Sequence, residues 1–521
     1  MPTERELEAY ELMAMRLPGK FSIHAKSAVL IGFITFFSFA YFYEGGGWNQ
    51  NSRFDLLRAI VEKHTLRIDD FHENTGDKAH FQGHYYSDKA PGAVFLAVPF
   101  AVVARAAMRT AGVDPESARG EYAMSYLVSL FAVALPTALG TVCLFFVALR
   151  WGGSVCGAAF AALVMALGTP VWAYASLFWA HALVGACLVF AFAAALRLGD
   201  ETGARAEFVW ALAVGVAAGW ATVTEYPAAP ASAILAVFAL SRVWARGSSS
   251  RWRVVAGVGL VAGLCAMVLM AYLHAAFGSF RPSYAYYDPS SFTFMHDRGY
   301  LGLTYPHIEV VLKLLFGSSR GLFFAAPVVL AAPLGIRWLW QGKTTCGAAI
   351  AITSIVAYYF LFNATFYEWR GGRSYGPRYA GAAIPLLCLG LAVAWDRANR
   401  PWRNVMVILA LCGLFSSLMV ISTTSELAVQ DRCPVCHQSW PAFWSGQVAL
   451  NRGSMLAPSD VGESQAYGAF NLGELLGLRG LVSLIPLFAI WGTGGFLLMR
   501  LRNLSGALTH EQNLKTQSSQ R

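Results

Sequence analysis

The sequence predicts an all-α integral membrane protein that crosses the bilayer about twelve to thirteen times, and three observations carry that prediction. Of its 521 residues, 56% are hydrophobic and only 13% charged, with a mean hydropathy of +0.48. That is more apolar surface than one soluble core can bury. The apolar residues fall in continuous runs of about 17 to 25, the length that carries a helix through roughly 30 Å of hydrocarbon. The runs show no in-out alternation, which excludes the strands of a membrane barrel.

Residues 1–26 are polar and charged and offer no small-residue cleavage site, so they are expected to remain as a cytoplasmic tail before a retained first span at 27–43. Further spans are expected at 122–149, 155–170, 181–198, 208–223, 226–244, 254–277, 321–340, 346–363, 379–395, 404–422 and 480–499. The short joints carry Arg150, Arg197 with Arg205, the basic cluster 242–253 that includes Arg246, Arg337 with Lys343, the cluster 397–403, and Arg500 with Arg502. Basic short joints stay on the cytoplasmic side. All of them do so only if the apolar run 90–107 does not cross, and it is therefore expected to dip into or lie on the outer leaflet. The expected organisation is a membrane domain over 27–500, with outer loops at 44–121 and 423–479 and a cytoplasmic tail at 501–521. The net charge of +9 reflects the inward bias plus a basic outer site and calls for no nucleic acid.

Under this topology the unusual residues gather in four outer segments, 44–89, 278–320, 365–378 and 423–479. No Walker loop, GxSxG, HExxH or dinucleotide fingerprint occurs, so nucleotide-fuelled chemistry has no site and no cofactor is expected. In the first segment, SRFDLLRAIVEKH from Ser52 places Phe54, Leu57, Ile60 and Val61 on one helical stripe, which suits an interfacial helix. Ser52 can cap that helix, with Asp55 completing a capping-box-like pattern; capping and catalysis both stay open for Asp55. The third segment, YEWRGGRSYGPRYAGAAIP, sets Arg370, Arg373 and Arg378 among glycines at the mouth of a span. Three guanidiniums on flexible backbone make a receptor for phosphate, which explains the glycines better than snorkelling does. Seven of the nine cysteines lie in or beside spans as small hydrophobes. The other two form Cys433-Pro-Val-Cys436-His437, a spacing that fits haem attachment, a small disulfide loop or free thiols.

The run YYSDKAPG at 85–92 resembles the Tyr-Phe-Glu-Lys-Pro-Pro pattern that follows the first outer helix in GT-C enzymes such as the lipid A aminoarabinose transferases. WRGGRSYGPRY and LFGSSRGLFFAAP, the latter at 315–327, resemble signatures of bacterial membrane glycosyltransferases of the protein mannosyltransferase-like group. The resemblance runs to about Pro385, through the order of elements more than identity. It implies a GT-C bundle with interfacial helices in the first outer loop, in a bacterial plasma membrane. It also implies an outer-leaflet polyprenyl-phosphate sugar donor and an inverting transfer to a hydroxyl or amine of an extracytoplasmic glycan, lipid or protein.

Such a transfer needs a carboxylate to take the acceptor proton and a cationic cradle for the departing phosphate. Family members place an Asp-Glu pair followed by Arg just after the first span; here that place reads Asn49-Gln50-Asn51-Ser52-Arg53, so only Arg53 matches. Asp55 is then the first candidate for the base, with Glu44, Asp70 and Asp77 behind it. Lys89 matches the family lysine that contacts donor phosphate and Asp88 the acid before it, while Arg320 and Arg378 carry over from the later signatures as phosphate partners. His181 stands where many relatives have a second acid, either lining an acceptor cavity or simply hydrogen-bonded inside the bundle. Glu225, an acid at a membrane boundary, could pair with an arginine or take part in binding. No metal pair is evident, and no essential metal is expected. A lipid or solute transporter and a polymerase or ligase of lipid-linked glycans are the competing readings.

Overall fold

The computed structural model describes residues 22–245, 247, 251–288, 297–461 and 467–501. Residues 1–21 and 502–521 of the expected tails, and Arg246 and Arg502 among the basic residues, lie outside the described residues. Eleven helices among the described residues are long and apolar enough to cross a membrane, and ten of them coincide with expected spans. The two other expected spans take different forms. Residues 155–170 yield only the helix Val155–Leu167, 13 residues long, after which Pro170 starts a separate short helix at Val171. Residues 321–340 break into Leu322–Ala325, a 3-10 turn at Pro327–Ala331 and Ala332–Gln341. Pro327 and Pro333 remove two backbone donors from this stretch, so a single straight helix cannot form.

The eleventh long helix is Gly92–Thr110. Its first residue packs so tightly on the last turn of Ala204–Thr224 that a Cβ on Gly92 would lie 2.6 Å from the Thr224 amide nitrogen. Near its other end Arg105 pairs with Glu121 at 2.7 Å and Glu116 at 2.8 Å, where the next helix begins. That next helix runs unbroken over Ala118–Gly152, 35 residues with one π turn at Leu130–Ala134. At 1.5 Å per residue it is about 52 Å long, well beyond the hydrocarbon, and its first turns join the loops. Tyr122 donates to the Gly468 carbonyl at 2.6 Å, and the Tyr43 and Ser125 hydroxyls meet at 2.6 Å. Both ends of Gly92–Thr110 therefore touch the same end of the bundle.

Helices approach closely where small residues face each other. A Cβ on Gly335 would lie 1.8 Å from the Gly390 carbonyl oxygen, and one on Gly413 would lie 2.6 Å from that of Gly168. The helices His181–Asp200 and Arg378–Arg397 are each 83% buried, which makes them the central pair. The first outer loop supplies the helix Trp48–Lys63 and a hairpin, Lys78–Phe81 against His84–Ser87. The hairpin turns through Gln82 and Gly83, both at positive φ (51° and 81°), as a two-residue connection between right-twisted strands requires. A second, two-residue ladder pairs Phe42 with Asn471 and Tyr43 with Phe470, tying the first loop to the last.

The helix Trp48–Lys63 starts four residues before the expected cap. Gly47 is its N-cap residue, so Ser52 and Asp55 sit inside the helix and neither caps it. The Ser52 hydroxyl instead meets the Ser87 hydroxyl at 2.8 Å and donates to Asp88 at 3.2 Å. The interfacial stripe is displaced as well, because Phe54 and Leu57 are fully buried beneath the loops.

Candidate active site

The loops that meet at one end of the bundle enclose a cavity of about 1310 Å³. Its deep wall is made by the starts of the two central helices, which place His181 and Arg378 side by side. The Arg378 Nε donates to His181 Nε2 at 3.0 Å, one Nη donates to the Gly371 carbonyl at 2.7 Å, and the guanidinium lies 4.1 Å from the centre of the Trp179 ring. Since His181 Nε2 accepts, its Nδ1 carries the proton and faces Glu225 Oε1 at 2.7 Å. His181 (itself held by Glu225), the Gly371 carbonyl and the Trp179 ring thus fix the plane of one arginine.

The first outer loop forms the adjoining wall. Lys89 reaches Asp77 and Asp88, each at 2.7 Å, and Tyr287 donates to the other oxygen of Asp77 at 3.1 Å. Burial would push both carboxyls up. In Asp77 the Lys89 ammonium outweighs burial and holds the group below its ordinary value. In Asp88 burial wins over Lys89, with the charge of Asp77 adding to it, and the group is raised. Two carboxylates on one ammonium cannot both be fully compensated. Arg53 is buried beside them, donating from Nη1 to the Asn49 carbonyl at 3.0 Å and to the Asn49 side-chain oxygen. Its Nε finds no hydrogen-bond partner among the described residues. A buried guanidinium nitrogen left without an acceptor at a cavity wall calls for a ligand or water.

The remaining walls are aromatic and apolar on one side, with Tyr226, Pro227, Tyr358, Phe362 and Phe366, and polar on the other, with Asn49, Asn51, Asn74, Asn451, Arg373 and Glu426. Gly371 and Gly372 line the floor at φ of 73° and 65°, a backbone that side chains resist. The glycines of the arginine segment serve this turn.

Of the residues singled out from sequence, Arg53, Asp77, Asp88, Lys89, His181, Glu225, Arg373 and Arg378 line this cavity. The others do not. Asp55, the first candidate base, is fully buried under its own helix; one oxygen accepts from Asn74 at 3.3 Å, the other has no partner among the described residues, and burial pushes the group well up. Asp70 lies on the surface, 3.6 Å from Lys63. Glu44 is buried behind the cavity, accepting from the Ser425 amide at 2.9 Å, and burial raises it to about 8. Arg320 is a strut: its guanidinium donates to the carbonyls of Arg370 and Gly372 at 3.1 Å and of Ser319 at 2.9 Å, leaving it spent on backbone. Arg370 rests on the Trp369 ring at 4.7 Å, outside the cavity.

Sequence reasoning passed over Glu368 and Glu426, the two other cavity acids. A signal existed. Glu44, Glu225, Glu368 and Glu426 are each the first acid after an expected outward-going span. The Cys433–Cys436 pair, outside the cavity, forms a disulfide, and His437 turns to Asp431 at 2.8 Å.

Among solved structures, ArnT from Cupriavidus metallidurans bound to undecaprenyl phosphate superposes with a TM-score of 0.51 at 19% identity, over 92% of this chain and 75% of that one. The apo state of the same protein gives 0.47 at 18%, over 90% and 74%. The archaeal oligosaccharyltransferase AglB from Archaeoglobus fulgidus, in complex with an inhibitory peptide and a dolichol-phosphate, gives 0.44 at 13%, over 76% and 55%. The first superposition shows the fold, a GT-C bundle. No protein-family model matches the chain, and no curated protein matches it.

Proposed function

We propose that this chain is a membrane glycosyltransferase that takes a sugar from a polyprenyl-phosphate donor and transfers it, with inversion, to a hydroxyl or amine of an extracytoplasmic glycan, lipid or protein. The observation that carries this reading is the cationic end of the cavity: Arg378 locked by His181 and Trp179, beside Arg53 with its unpartnered Nε. A phosphodiester carries one negative charge and offers several acceptor oxygens, and planar guanidiniums match it. As the bond to the sugar breaks, charge grows on the phosphate oxygen, so donors already in place stabilise the transition state more than the ground state. Lys89 supplies further positive charge, moderated by Asp77 and Asp88. The aromatic gallery from Tyr226 to Phe366 suits an isoprenoid chain, and Pro230 at its edge is exposed on the flank of its helix. ArnT of the same fold was solved with undecaprenyl phosphate bound, which supports this choice of donor. The basic joints at the far end of the bundle support a plasma-membrane topology with the cavity facing outward.

Binding of undecaprenyl phosphate to the protein in lipid nanodiscs, with undecaprenol as the phosphate-free control, tests the reading. The phosphate compound should bind far more tightly than the alcohol. Arg378→Ala should weaken it by about 2 to 5 kcal/mol, the range for a desolvated charge-assisted contact. Equal binding of the two lipids by the unaltered protein would remove the basis for a phosphate-linked donor.

A further inference from the structure

We propose that Glu426, on the last outer loop, is the catalytic carboxylate that takes the acceptor's proton, with Gln50 positioning it; the assignment rests on the glycosyl-transfer reading above. Among the described residues five acids line the cavity: Asp77, Asp88, Glu225, Glu368 and Glu426. Three of them are committed to partners at 2.7 Å, Asp77 and Asp88 to the Lys89 ammonium and Glu225 to Nδ1 of His181. Glu368 is raised by burial against the pull of Arg370 and Arg320, and its Oε1 has no hydrogen-bond partner among the described residues, so it is the direct competitor that the test below separates from Glu426. Among the described residues the Glu426 carboxylate has only long contacts, 3.4 Å from Gln50 Nε2 and 4.0 Å from the exposed Arg373. Its carboxylate is inside the cavity with lone pairs to spare.

The surroundings are arranged around that carboxylate. A Cβ on Gly47 would lie 1.8 Å from Glu426 Oε1, yet Gly47 has φ of −175°, an extended backbone open to any residue. Glycine is needed there for space and not for conformation. Gln50 is oriented by Trp179, whose indole N–H donates to Gln50 Oε1 at 2.5 Å and so turns the amide N–H groups toward Glu426. Trp179 is also the ring on which Arg378 stacks. Two side chains thus connect the proton acceptor to the arginine assigned to the phosphate. The charged groups facing Glu426 are Glu44 behind it, Asp77 from the first loop, and Arg373 and Arg378 from the arginine segment. Burial raises the group most, the arginines lower it, and it settles at about 7, where a general base is most effective in a neutral medium.

In the step itself the acceptor oxygen or nitrogen forms a bond to the anomeric carbon as the carbon–oxygen bond to phosphate breaks. The bonding pair leaves on the phosphate oxygen as polyprenyl phosphate. The acceptor's proton passes to Glu426, which later returns it to solvent. Nothing is oxidised or reduced.

The test measures release of undecaprenyl phosphate by the full chain in bacterial membranes, from a panel of undecaprenyl-phosphoryl hexose, N-acetylhexosamine, pentose and aminopentose donors. Glu426→Gln should bind undecaprenyl phosphate as the unaltered protein does, while turnover falls by about a hundredfold or more. The rate of the unaltered protein should fall below about pH 7, where Glu426 is protonated, and that acid limb should vanish in the residual rate of Glu426→Gln. Glu426→Asp should keep measurable transfer with a displaced limb. Unchanged turnover in Glu426→Gln, an unchanged acid limb in either variant, or loss in Glu368→Gln with Glu426→Gln active, overturns the assignment while leaving glycosyl transfer standing. If no donor is consumed and undecaprenyl phosphate does not bind the unaltered protein, the transfer reading falls and this one with it.

Discussion

The first outer loop and the last outer loop meet across one cavity, and they treat their carboxylates in opposite ways. On the first-loop wall Asp77 and Asp88 are tied to Lys89, and the central wall beside it ties Glu225 to His181. On the last-loop side, among the described residues, Glu426 has no cation nearer than Arg373 at 4.0 Å, and Glu44 behind it accepts from the Ser425 amide. Of the pair on Lys89, Asp77 is held below its ordinary value while burial raises Asp88; Glu426 and Glu44, buried without a close cation among the described residues, hold their protons to higher pH. On the proposed reading, the difference separates a cationic wall that meets the donor phosphate from a wall that exchanges a proton.

The largest effect expected from breaking this contrast is at Lys89. Lys89→Ala leaves Asp77 and Asp88 facing each other without their ammonium, both of them buried. Removing one partner of a buried ionic cluster costs about 3 to 5 kcal/mol. Thermal unfolding in detergent should show that loss at neutral pH, and it should shrink in acid as the two carboxyls take up protons. A Lys89→Ala protein of unchanged stability at neutral pH would mean that the first-loop wall is not held by its ion pairs.

A smaller effect, and one that depends on pH, is expected on the opposite wall. The folded state raises Glu44 from an ordinary carboxylate value to about 8, so folding favours the protonated form. The stability this gives is fully present below the unfolded-state value near 4.5 and is lost as pH rises toward 8. Glu44→Gln removes the titration and keeps an acceptor for the Ser425 amide. The variant should therefore lose less stability than the unaltered protein between pH 5 and pH 8, a difference that parallel melting curves would show. Identical slopes would place Glu44 in a wetter setting than its burial indicates.

The same two walls show how much was legible in the sequence. Periodicity and length gave ten of the eleven long helices, because a span is specified by local composition alone. The breaks at Pro170 and Pro327 were legible too, but hydropathy averages over them. Short motifs pointed to Lys89, Asp88 and Arg378, which line the cavity, because the strand end or helix start that places each lies beside it in the chain. Arg320 and Asp55 were misplaced for a complementary reason. Whether an arginine meets backbone carbonyls or a ligand depends on the loop folded over it, here residues 370–372 and 428. Glu426 is brought to Gln50 across 376 residues of chain, and no local pattern records that meeting.

The smallest expected effect is at Asp70, and its size is what makes it informative. Its side chain is 63% exposed, and its one close cation among the described residues, Lys63 at 3.6 Å, is 53% exposed. Exposed ion pairs of this kind contribute about 0 to 1 kcal/mol, because water screens them and both side chains give up freedom to meet. Asp70 follows the helix Trp48–Lys63 and does not line the cavity, so the proposed transfer gives it no part. Asp70→Asn should bind undecaprenyl phosphate normally and melt within about 0.5 kcal/mol of the unaltered protein, as surface substitutions away from special features do. Release of undecaprenyl phosphate from the donor panel should be unchanged as well. A large loss of turnover in Asp70→Asn with stability intact would mean that the first loop swings its outer half into the cavity when substrate binds. The proposed division between a phosphate-binding wall and a proton-accepting wall would then fail, because a first-loop carboxylate would reach the reacting atoms.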